Sequence, residues 1–285
     1  MNAHLWAVDE FDVVPLGVVG CEVRHFDLGT AAFDDSLASW LRSLLATYQV
    51  LVFRNQHLDP AQQVKFSRCF GDLESSLSRR PSTHQVSSHP DVLYLSNEPG
   101  SSTSEYGLGW HSDGLAYARV PHGATILHCL ACPPGVGDTL FATQYGALDA
   151  MSRRFRTLLK ALFWHLPDIP HSEVPASGGL VQPLIRTHPV TGREFLFCAP
   201  GASHIQGMTR LESAGILGIV RAFQARDELI YRHEWVPGDV VVWENCALLH
   251  TRADLVDYES QGLRAMLRSA TSGDFAARDS EAAQG

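Results

Sequence analysis

The chain contains histidine and aspartate at a spacing that suits a metal ion. Fourteen of its 285 residues are histidine, and four of them stand two positions before an aspartate. These four pairs are His25/Asp27, His57/Asp59, His89/Asp91 and His111/Asp113. Asp59 is already explained as a helix cap before Pro60, and the Pro in His89-Pro90-Asp91 is typical of a turn. The first pair has no obvious partner, which leaves the fourth.

His111 and Asp113 follow a segment rich in Gly and Ser and precede predicted strands. Residues two apart on an extended chain point to the same side, so both side chains can bind one ion. His250, shortly after the strand-like segment DVVVW, is the natural distant third ligand. Two histidines and one carboxylate leave three positions open on an octahedral ion, as in non-haem Fe(II) oxygenases, whereas structural zinc takes four protein ligands. The sequence therefore predicts a catalytic metal site.

Two arginines stand four residues apart in the last predicted strand, LRAMLRSAT. In an extended strand, Arg264 and Arg268 point to the same face as Met266. An arginine that faces a protein interior is costly unless an anion pairs with it. From the residues alone two interpretations stay open: the arginines bind anionic groups of ligands, or they pair with internal Asp and Glu.

Composition limits the classes of partner. With 22 Lys and Arg against 31 Asp and Glu, the formal net charge is −9, which argues against general affinity for nucleic acid or anionic membranes. No apolar run is long enough to span a bilayer, and the N-terminus lacks the pattern of a signal peptide. Six cysteines are too few for a disulfide scaffold. We therefore expect a soluble cytoplasmic protein with a small-molecule partner.

The elements that must position these residues are mostly strands. Short β-branched runs such as VLVFRN, VLYLSN and PGDVVVW alternate with turn signals. Amphipathic or capped segments predict helices at about 34–49, 59–71, 147–162 and 209–226. No repeat or linker divides the chain. We expect one domain over residues 1–285, mainly β with flanking helices and with a disordered tail at about 275–285.

An ordered series of segments resembles the taurine dioxygenase / 2,4-dichlorophenoxyacetate dioxygenase (TauD/TfdA) family of Fe(II)- and 2-oxoglutarate-dependent enzymes. The segments are WHSD at 110–113, GVGDTLFA, RTHPVTGREFLF, IQGMT and PGDVVVWEN, followed by His250. One short motif would be weak evidence, but this series extends from about residue 15 to 274 at compatible spacings. The fold that the resemblance implies is a double-stranded β-helix, also called a jelly roll.

The resemblance also implies cofactors and residue roles. Fe(II), 2-oxoglutarate and O₂ would be required, with the metal on the two histidines and the aspartate named above. The family's 2-oxoglutarate residues fall on Thr139 and Arg264, which would anchor the distal carboxylate by charge-assisted hydrogen bonds. The second family arginine falls on Arg268, where relatives often contact a substrate acid. Relatives are often dimers or tetramers, so a homo-oligomer stays open.

Several positions bear on the choice of substrate. Taurine-oxidising relatives place a His after GDL to bind the sulfonate, whereas this chain has Glu74, which would repel a sulfonate but receive an amine. Taurine is therefore disfavoured. Asp113 argues against chlorination, because halide-transferring relatives lack this carboxylate. Trp110 borders the metal residues and either walls the substrate pocket or packs in the core. Glu244 replaces an Asp that is common before the distal histidine.

The leading hypothesis is an enzyme that hydroxylates a small acidic or zwitterionic substrate with release of succinate and CO₂. The same metal site serves desaturation, cyclisation and oxidative decarboxylation, so the ligand residues do not separate these outcomes. A non-catalytic jelly-roll protein that binds a metal or a small acid is the third alternative. It is disfavoured because the metal and 2-oxoglutarate positions are retained together.

Overall fold

The computed structural model describes residues 11–74, 85–86, 88–101, 107–115, 121–166, 180–273 and 278–279. Within these ranges the strands are β1 (Val13–Pro15), β2 (Cys21–Val23), β3 (Val50–Phe53), β4 (Gln85–Val86), β5 (His89–Ser96), β6 (His122–Ala131), β7 (Thr139–Thr143), β8 (Phe163–Leu166), β9 (Leu180–Pro183), β10 (Ile185–Thr187), β11 (Glu194–Leu196), β12 (His204–Ile205), β13 (Ile230–His233), β14 (Val240–Glu244), β15 (Leu248–Arg252), β16 (Ala265–Ser272) and β17 (Arg278–Asp279). The helices are α1 (Asp35–Tyr48), α2 (Pro60–Ser67), α3 (Gln144–Asp149), α4 (Arg153–Leu159), α5 (Arg210–Gln224) and α6 (Tyr258–Gln261), with short 3₁₀ helices at Arg68–Phe70 and Asp227–Leu229.

Two sheets form the jelly roll. The larger has eight strands in the order β1-β2-β3-β14-β6-β16-β5-β4, and the smaller has three in the order β13-β7-β15. β14 and β15 follow each other in the chain but lie in different sheets, so the turn between them crosses from one sheet to the other. The predicted architecture, mainly β with flanking helices, is confirmed.

Alternating side chains give the larger sheet two buried faces. On β14, Val240 lies in a cluster with Leu37 of α1, on the helical side. Trp243, which points to the other side of the same strand, lies in an interior cluster with Phe141 of the smaller sheet. Full burial of one such side chain contributes about 1.5–3 kcal/mol. The hydrophobic effect therefore stabilises the larger sheet on both faces and fixes its inner face against the smaller sheet.

The register of β6 against β16 has an irregularity next to the candidate site. β16 pairs Ala270 with Thr125 and Ser272 with His122, so β6 has one residue more than β16 in this interval. An extra residue of this kind reverses the alternation of side chains. His122 consequently points to the same interior face as Thr125, although the two residues are an odd number of positions apart.

Two predictions about the elements need correction. The helix predicted at about 147–162 is two helices, α3 and α4. The side chain of Ser152 accepts a hydrogen bond from the backbone N–H of Phe155, which starts a new helix. In the predicted tail, Arg278–Asp279 pair with β9, and the rest of that tail lies outside the described residues. Within the described part of the chain, every helix is too short or too polar to cross a lipid bilayer.

The assignment of Asp59 as the cap of α2, and not as a metal ligand with His57, can be tested. Asp59 Oδ1 accepts from the backbone N–H of Gln62 at 2.7 Å, and the Gln62 side chain accepts from the Asp59 backbone at 2.8 Å. We predict that Asp59→Ala lowers the free energy of unfolding in urea by about 1 kcal/mol, whereas Asp59→Asn keeps most of it. Both variants should bind Mn(II) like the wild type. Loss of Mn(II) affinity in either would contradict the assignment.

Candidate metal centre

A pair of backbone hydrogen bonds brings the two predicted histidine ligands together. The N–H of His111 donates to the carbonyl of His250 at 3.0 Å, and the N–H of His250 donates to the carbonyl of His111 at 2.8 Å. β15, which carries His250, is held on its other edge by β7. Directly paired residues on neighbouring strands point to one side of the sheet, and the two imidazole rings lie 4.2 Å apart between centroids.

Asp113 completes the group. His111 Nε2 lies 3.8 Å from its Oδ1, and His250 Nε2 lies 3.8 Å from its Oδ2. One ligand-type atom from each of the three residues lies within 4.8 Å of the other two. The fold therefore places two imidazole nitrogens and a carboxylate around one point, as the sequence predicts.

The protonation states of these residues suit a metal ligand set. His111 Nδ1 lies 2.7 Å from the carbonyl of Gly109, so Nδ1 carries the proton and Nε2 presents a lone pair. Burial, together with His111, lowers the pKa of His250 to about 3, so its imidazole is neutral at neutral pH. Burial alone would raise the pKa of Asp113, but Arg268 and the histidines hold it well below its usual range. A divalent cation thus meets the neutral imidazole of His250, Nε2 of His111 and the ionised carboxylate of Asp113.

Arg268 contacts a predicted metal ligand directly. Its Nη2 is 3.0 Å from Asp113 Oδ2 and 3.4 Å from His122 Nδ1. Of the two interpretations left open for this arginine, the structure contains the internal ion pair, and the partner is a predicted metal ligand. Burial and Arg268 lower the pKa of His122 to about 4, against the opposing charges of Asp113 and Glu74. His122 is therefore neutral at neutral pH.

Thr139 begins β7 of the smaller sheet, and Arg264 directly precedes β16 of the larger sheet. Arg264 is buried, and its Nε donates to the carbonyl of Gly137 at 3.3 Å. A Cβ at Gly137 would come within 2.9 Å of the Arg264 side chain, so a glycine is required for this close approach. Thr139 Oγ1 accepts from the indole N–H of Trp235 at 3.0 Å. Arg252 on β15 is paired directly with Thr139 on β7. Hydroxyl and guanidinium donors thus gather on one inner face, which suits an anion.

Three residues of this neighbourhood were not predicted as site residues. Arg252 follows His250 by two positions on the same strand, so the spacing rule that selected Asp113 would also have found it. His122 carries no such signal, because the irregular register of β6 turns it inward and leaves only 2% of it exposed. Trp235 lies between β13 and β14. It is far from Thr139 in the sequence, and only the fold brings the two side chains into hydrogen-bond contact.

Glu244, His188 and Cys246 form a second group of side chains of the types that bind metals. His188 Nδ1 accepts two backbone N–H groups of the turn that follows it, at 3.2 Å each, so its proton is on Nε2. That Nε2–H donates to Glu244 Oε2 at 2.9 Å. Gln49 donates to the other carboxylate oxygen at 3.3 Å. Glu244 therefore anchors the turn before β15 by hydrogen bonds, and the imidazole has no lone pair directed at a metal.

Glu74 and Trp110 are the remaining predicted site residues. Glu74 is half-buried next to β16, and its backbone N–H donates to the carbonyl of Ala270 at 2.9 Å. This contact places its backbone beside β16, the strand that carries Arg268. Trp110 is half-buried and directly precedes His111. Their contact with a substrate stays a prediction.

A jelly roll with two histidines and one carboxylate at one point defines the architecture of the non-haem Fe(II) oxygenases. Comparison with known proteins gives the family. The family model described as "Taurine catabolism dioxygenase TauD, TfdA family" matches residues 12–270. The chain belongs to this family.

Curated and structural relatives agree with that assignment. The chain is 31% identical over 267 residues to the (S)-phenoxypropionate/alpha-ketoglutarate-dioxygenase of Sphingobium herbicidovorans, covering 84% of this chain and 88% of that one. It is 31% identical over 258 residues to the alpha-ketoglutarate-dependent 2,4-dichlorophenoxyacetate dioxygenase of Cupriavidus pinatubonensis, covering 83% and 88%. The crystal structure of a taurine dioxygenase from Burkholderia xenovorans superimposes with a TM-score of 0.80 at 28% identity, covering 94% and 95%.

The ligand set is tested by metal affinity. Mn(II) is a redox-stable substitute for Fe(II), and we predict that His111→Ala and His250→Ala each abolish its binding in calorimetric titrations. The loss should exceed the roughly 10–100-fold that removal of a supporting hydrogen bond costs. His204→Ala is the control, because His204 lies on β12 and stacks on His165. Wild-type Mn(II) affinity in either ligand variant would contradict the proposed centre.

Proposed function

We propose that this protein is an Fe(II)- and 2-oxoglutarate-dependent dioxygenase that hydroxylates a small substrate bearing an acidic group. The observation that carries the proposal is the convergence of His111, Asp113 and His250 in a chain that matches the TauD/TfdA family over 12–270. The curated relatives are alpha-ketoglutarate-dependent enzymes, and alpha-ketoglutarate is 2-oxoglutarate. The chain is an enzyme of this class, and its cofactors are Fe(II), 2-oxoglutarate and O₂.

The three ligand residues would hold the iron on one face and leave the other open to 2-oxoglutarate and O₂. With these bound, the metal supplies oxidative decarboxylation of 2-oxoglutarate to succinate and CO₂, coupled to transfer of one oxygen atom to the substrate. The protein's own contribution is to bind both organic molecules in the right orientation and to exclude side reactions.

Thr139 and Arg264 would bind the distal carboxylate of 2-oxoglutarate. An indole N–H is only a donor, so Thr139 Oγ1 is the acceptor in its contact with Trp235. The hydroxyl hydrogen of Thr139 is thereby left for a different acceptor, such as a carboxylate. Burial lowers the pKa of Arg264, but a guanidinium stays charged at neutral pH. One hydroxyl donor and one buried cation recognise a carboxylate and would reject a neutral or cationic group.

Arg268 and His122 would bind the acidic group of the substrate. A divalent cation on Asp113 offsets part of the charge of that carboxylate, so Arg268 can attract a substrate anion while it stays in contact with Asp113. Because Arg268 is a donor, His122 Nδ1 is the acceptor in their contact and the imidazole proton lies on Nε2, where it can be donated. Glu74 on the same side would favour a substrate that also carries an amine. A small acidic or zwitterionic molecule fits this charge pattern best.

The reaction class is tested by succinate release. We predict that Fe(II)-loaded protein releases succinate from 2-oxoglutarate when incubated with some member of a panel of aryloxy acids, amino acids, N-acyl acids, sulfonates and phosphonates. Arg268→Gln should raise KM for that substrate at least about tenfold, because it removes a hydrogen bond to a charged group.

Under anaerobic conditions, Fe(II) and 2-oxoglutarate should produce a visible charge-transfer band in the wild type and none in His111→Ala.

The product distinguishes hydroxylation from its alternatives. Gain of one oxygen atom by mass spectrometry supports hydroxylation, and loss of two hydrogens or of CO₂ from the substrate assigns desaturation, cyclisation or decarboxylation at the same centre. Absence of the anaerobic band in the wild type, with background succinate release across the whole panel, would contradict the assignment as an enzyme and favour a binding protein.

The 2-oxoglutarate contacts have their own test. We predict that Thr139→Val weakens 2-oxoglutarate binding to Mn(II)-loaded protein by about tenfold or more, because the variant loses the donor to a carboxylate. Trp235→Phe keeps an aromatic side chain but removes the indole N–H that Thr139 Oγ1 accepts, so the loss should be smaller, about two- to tenfold. Thr139→Ser is the matched control and should bind like the wild type. Wild-type 2-oxoglutarate affinity in Thr139→Val would remove this residue from the co-substrate site.

A further inference from the structure

A chain of buried hydrogen bonds ends on the carboxylate of Asp113. The side-chain amide of Asn245, Nδ2, donates to Thr125 Oγ1 at 2.9 Å, and Thr125 Oγ1 donates to Asp113 Oδ2 at 2.7 Å. Both hydrogen bonds lie among buried groups, where a hydrogen bond is electrostatically stronger than in water. Neither Asn245 nor Thr125 is one of the predicted ligands.

The donor and the acceptor of each hydrogen bond in this Asn245–Thr125–Asp113 series are determined. Asn245 Oδ1 lies 3.2 Å from the backbone N–H of Asp113 and 3.2 Å from the indole N–H of Trp243. Both of these groups only donate, so the oxygen of the amide must face them and the NH₂ must face Thr125. Thr125 Oγ1 therefore accepts from Asn245, and its single hydrogen is committed to Asp113.

Both members of the chain are rigidly placed. Thr125 lies inside β6 and is paired with Trp243 on β14 and with Ala270 on β16. Asn245 lies in the turn that leads into β15 and His250. Its backbone N–H donates to the carbonyl of Gly123 at 2.8 Å, and its carbonyl accepts from the hydroxyl of Ser112. The chain therefore connects the loop that carries His111 and Asp113 to the strand that carries His250.

The two carboxylate oxygens of Asp113 differ in their hydrogen-bond partners. Oδ2 of Asp113 is engaged by Thr125 at 2.7 Å and by Arg268 at 3.0 Å. Each oxygen lies 3.8 Å from a histidine Nε2, Oδ1 from His111 and Oδ2 from His250, so it is the two donors on Oδ2 that distinguish the oxygens. A carboxylate held through one oxygen by a fixed donor cannot rotate freely about its last bond, so its other oxygen has a defined position.

We propose that Thr125 and Asn245 are positioning residues of the metal centre: they lock the Asp113 carboxylate so that Oδ1 is presented as the metal ligand. This inference rests on the proposed function, because it presupposes that Asp113 binds iron. The residues touch neither substrate nor 2-oxoglutarate in this assignment, and they act only through Asp113. Supporting hydrogen bonds of this kind typically contribute a factor of about 10–100 to metal affinity.

The test measures Mn(II) affinity and thermal stability on the same variants of the full chain. Thr125→Val keeps the shape of the side chain and removes the donor, and we expect the Kd for Mn(II) to rise about 10–100-fold. Thr125→Ser restores the hydroxyl and should bring the Kd back to within a few-fold of the wild type. The matched control is Thr143→Val. Thr143 is 5% exposed and Thr125 0%, but the Thr143 hydroxyl donates to Gln49 at 2.6 Å instead of to Asp113. Its Mn(II) affinity should not change.

A second variant covers the case in which Thr125→Val does not fold. Asn245→Asp keeps the two hydrogen bonds that Oδ1 accepts and replaces the one donor by an acceptor, so the Thr125 hydroxyl is drawn away from Asp113. Its Kd for Mn(II) should rise at least as much. Wild-type affinity in a folded Thr125→Val or Asn245→Asp protein overturns the inference. So does equal weakening in Thr143→Val, which would indicate a general loss of order. Failure of the wild type to bind Mn(II) instead overturns the proposed metal centre.

Discussion

The two backbone hydrogen bonds between His111 and His250 are the constraint on which the candidate site depends. They join a loop before β6 to the middle of β15, and therefore join residues that are far apart in the chain. The imidazoles are adjacent because their main chains are paired, and Asp113 is adjacent because it follows His111 by two positions. The packing of interior side chains around Trp243 keeps the two sheets, and hence this pairing, in place.

Buried arginines stand at the predicted anion-binding positions inside the jelly roll, although the whole chain is acidic. The protein carries a formal net charge of −9, yet its interior contains Arg252, Arg264 and Arg268. Burial and the neighbouring Arg264 lower the pKa of Arg252 to about 10, which still leaves it charged at neutral pH. An acidic exterior does not attract small dianions over a distance. In the proposed function, selection of anionic ligands therefore occurs at short range, through directed donors such as Thr139, Arg264 and Arg268.

The parts of the site that follow from local spacing were predictable from the sequence, and the parts that follow from register were not. Asp113 could be chosen because alternation along a strand is a local rule, and His250 because it follows the strand-like segment DVVVW. The capped start of α2 excluded Asp59 for a local reason. The contact of Arg268 with Asp113 depends on which strands are neighbours, and motifs alone left it open. The Asn245–Thr125 chain requires β14, β6 and the loop at Asp113 to be aligned to within one residue. The split between α3 and α4 depends on the Ser152 side chain acting as a cap, and the helix-favouring composition of 147–162 does not indicate that break.

The extra residue in β6 next to His122 has a consequence for how pockets of this kind diversify. A one-residue insertion or deletion at that point would exchange the side chain beside Arg268 for its neighbour while the paired strands on either side stayed in place. Substrate preference could then change between descendants of one ancestor through a single codon gained or lost, with no substitution among the proposed iron ligands.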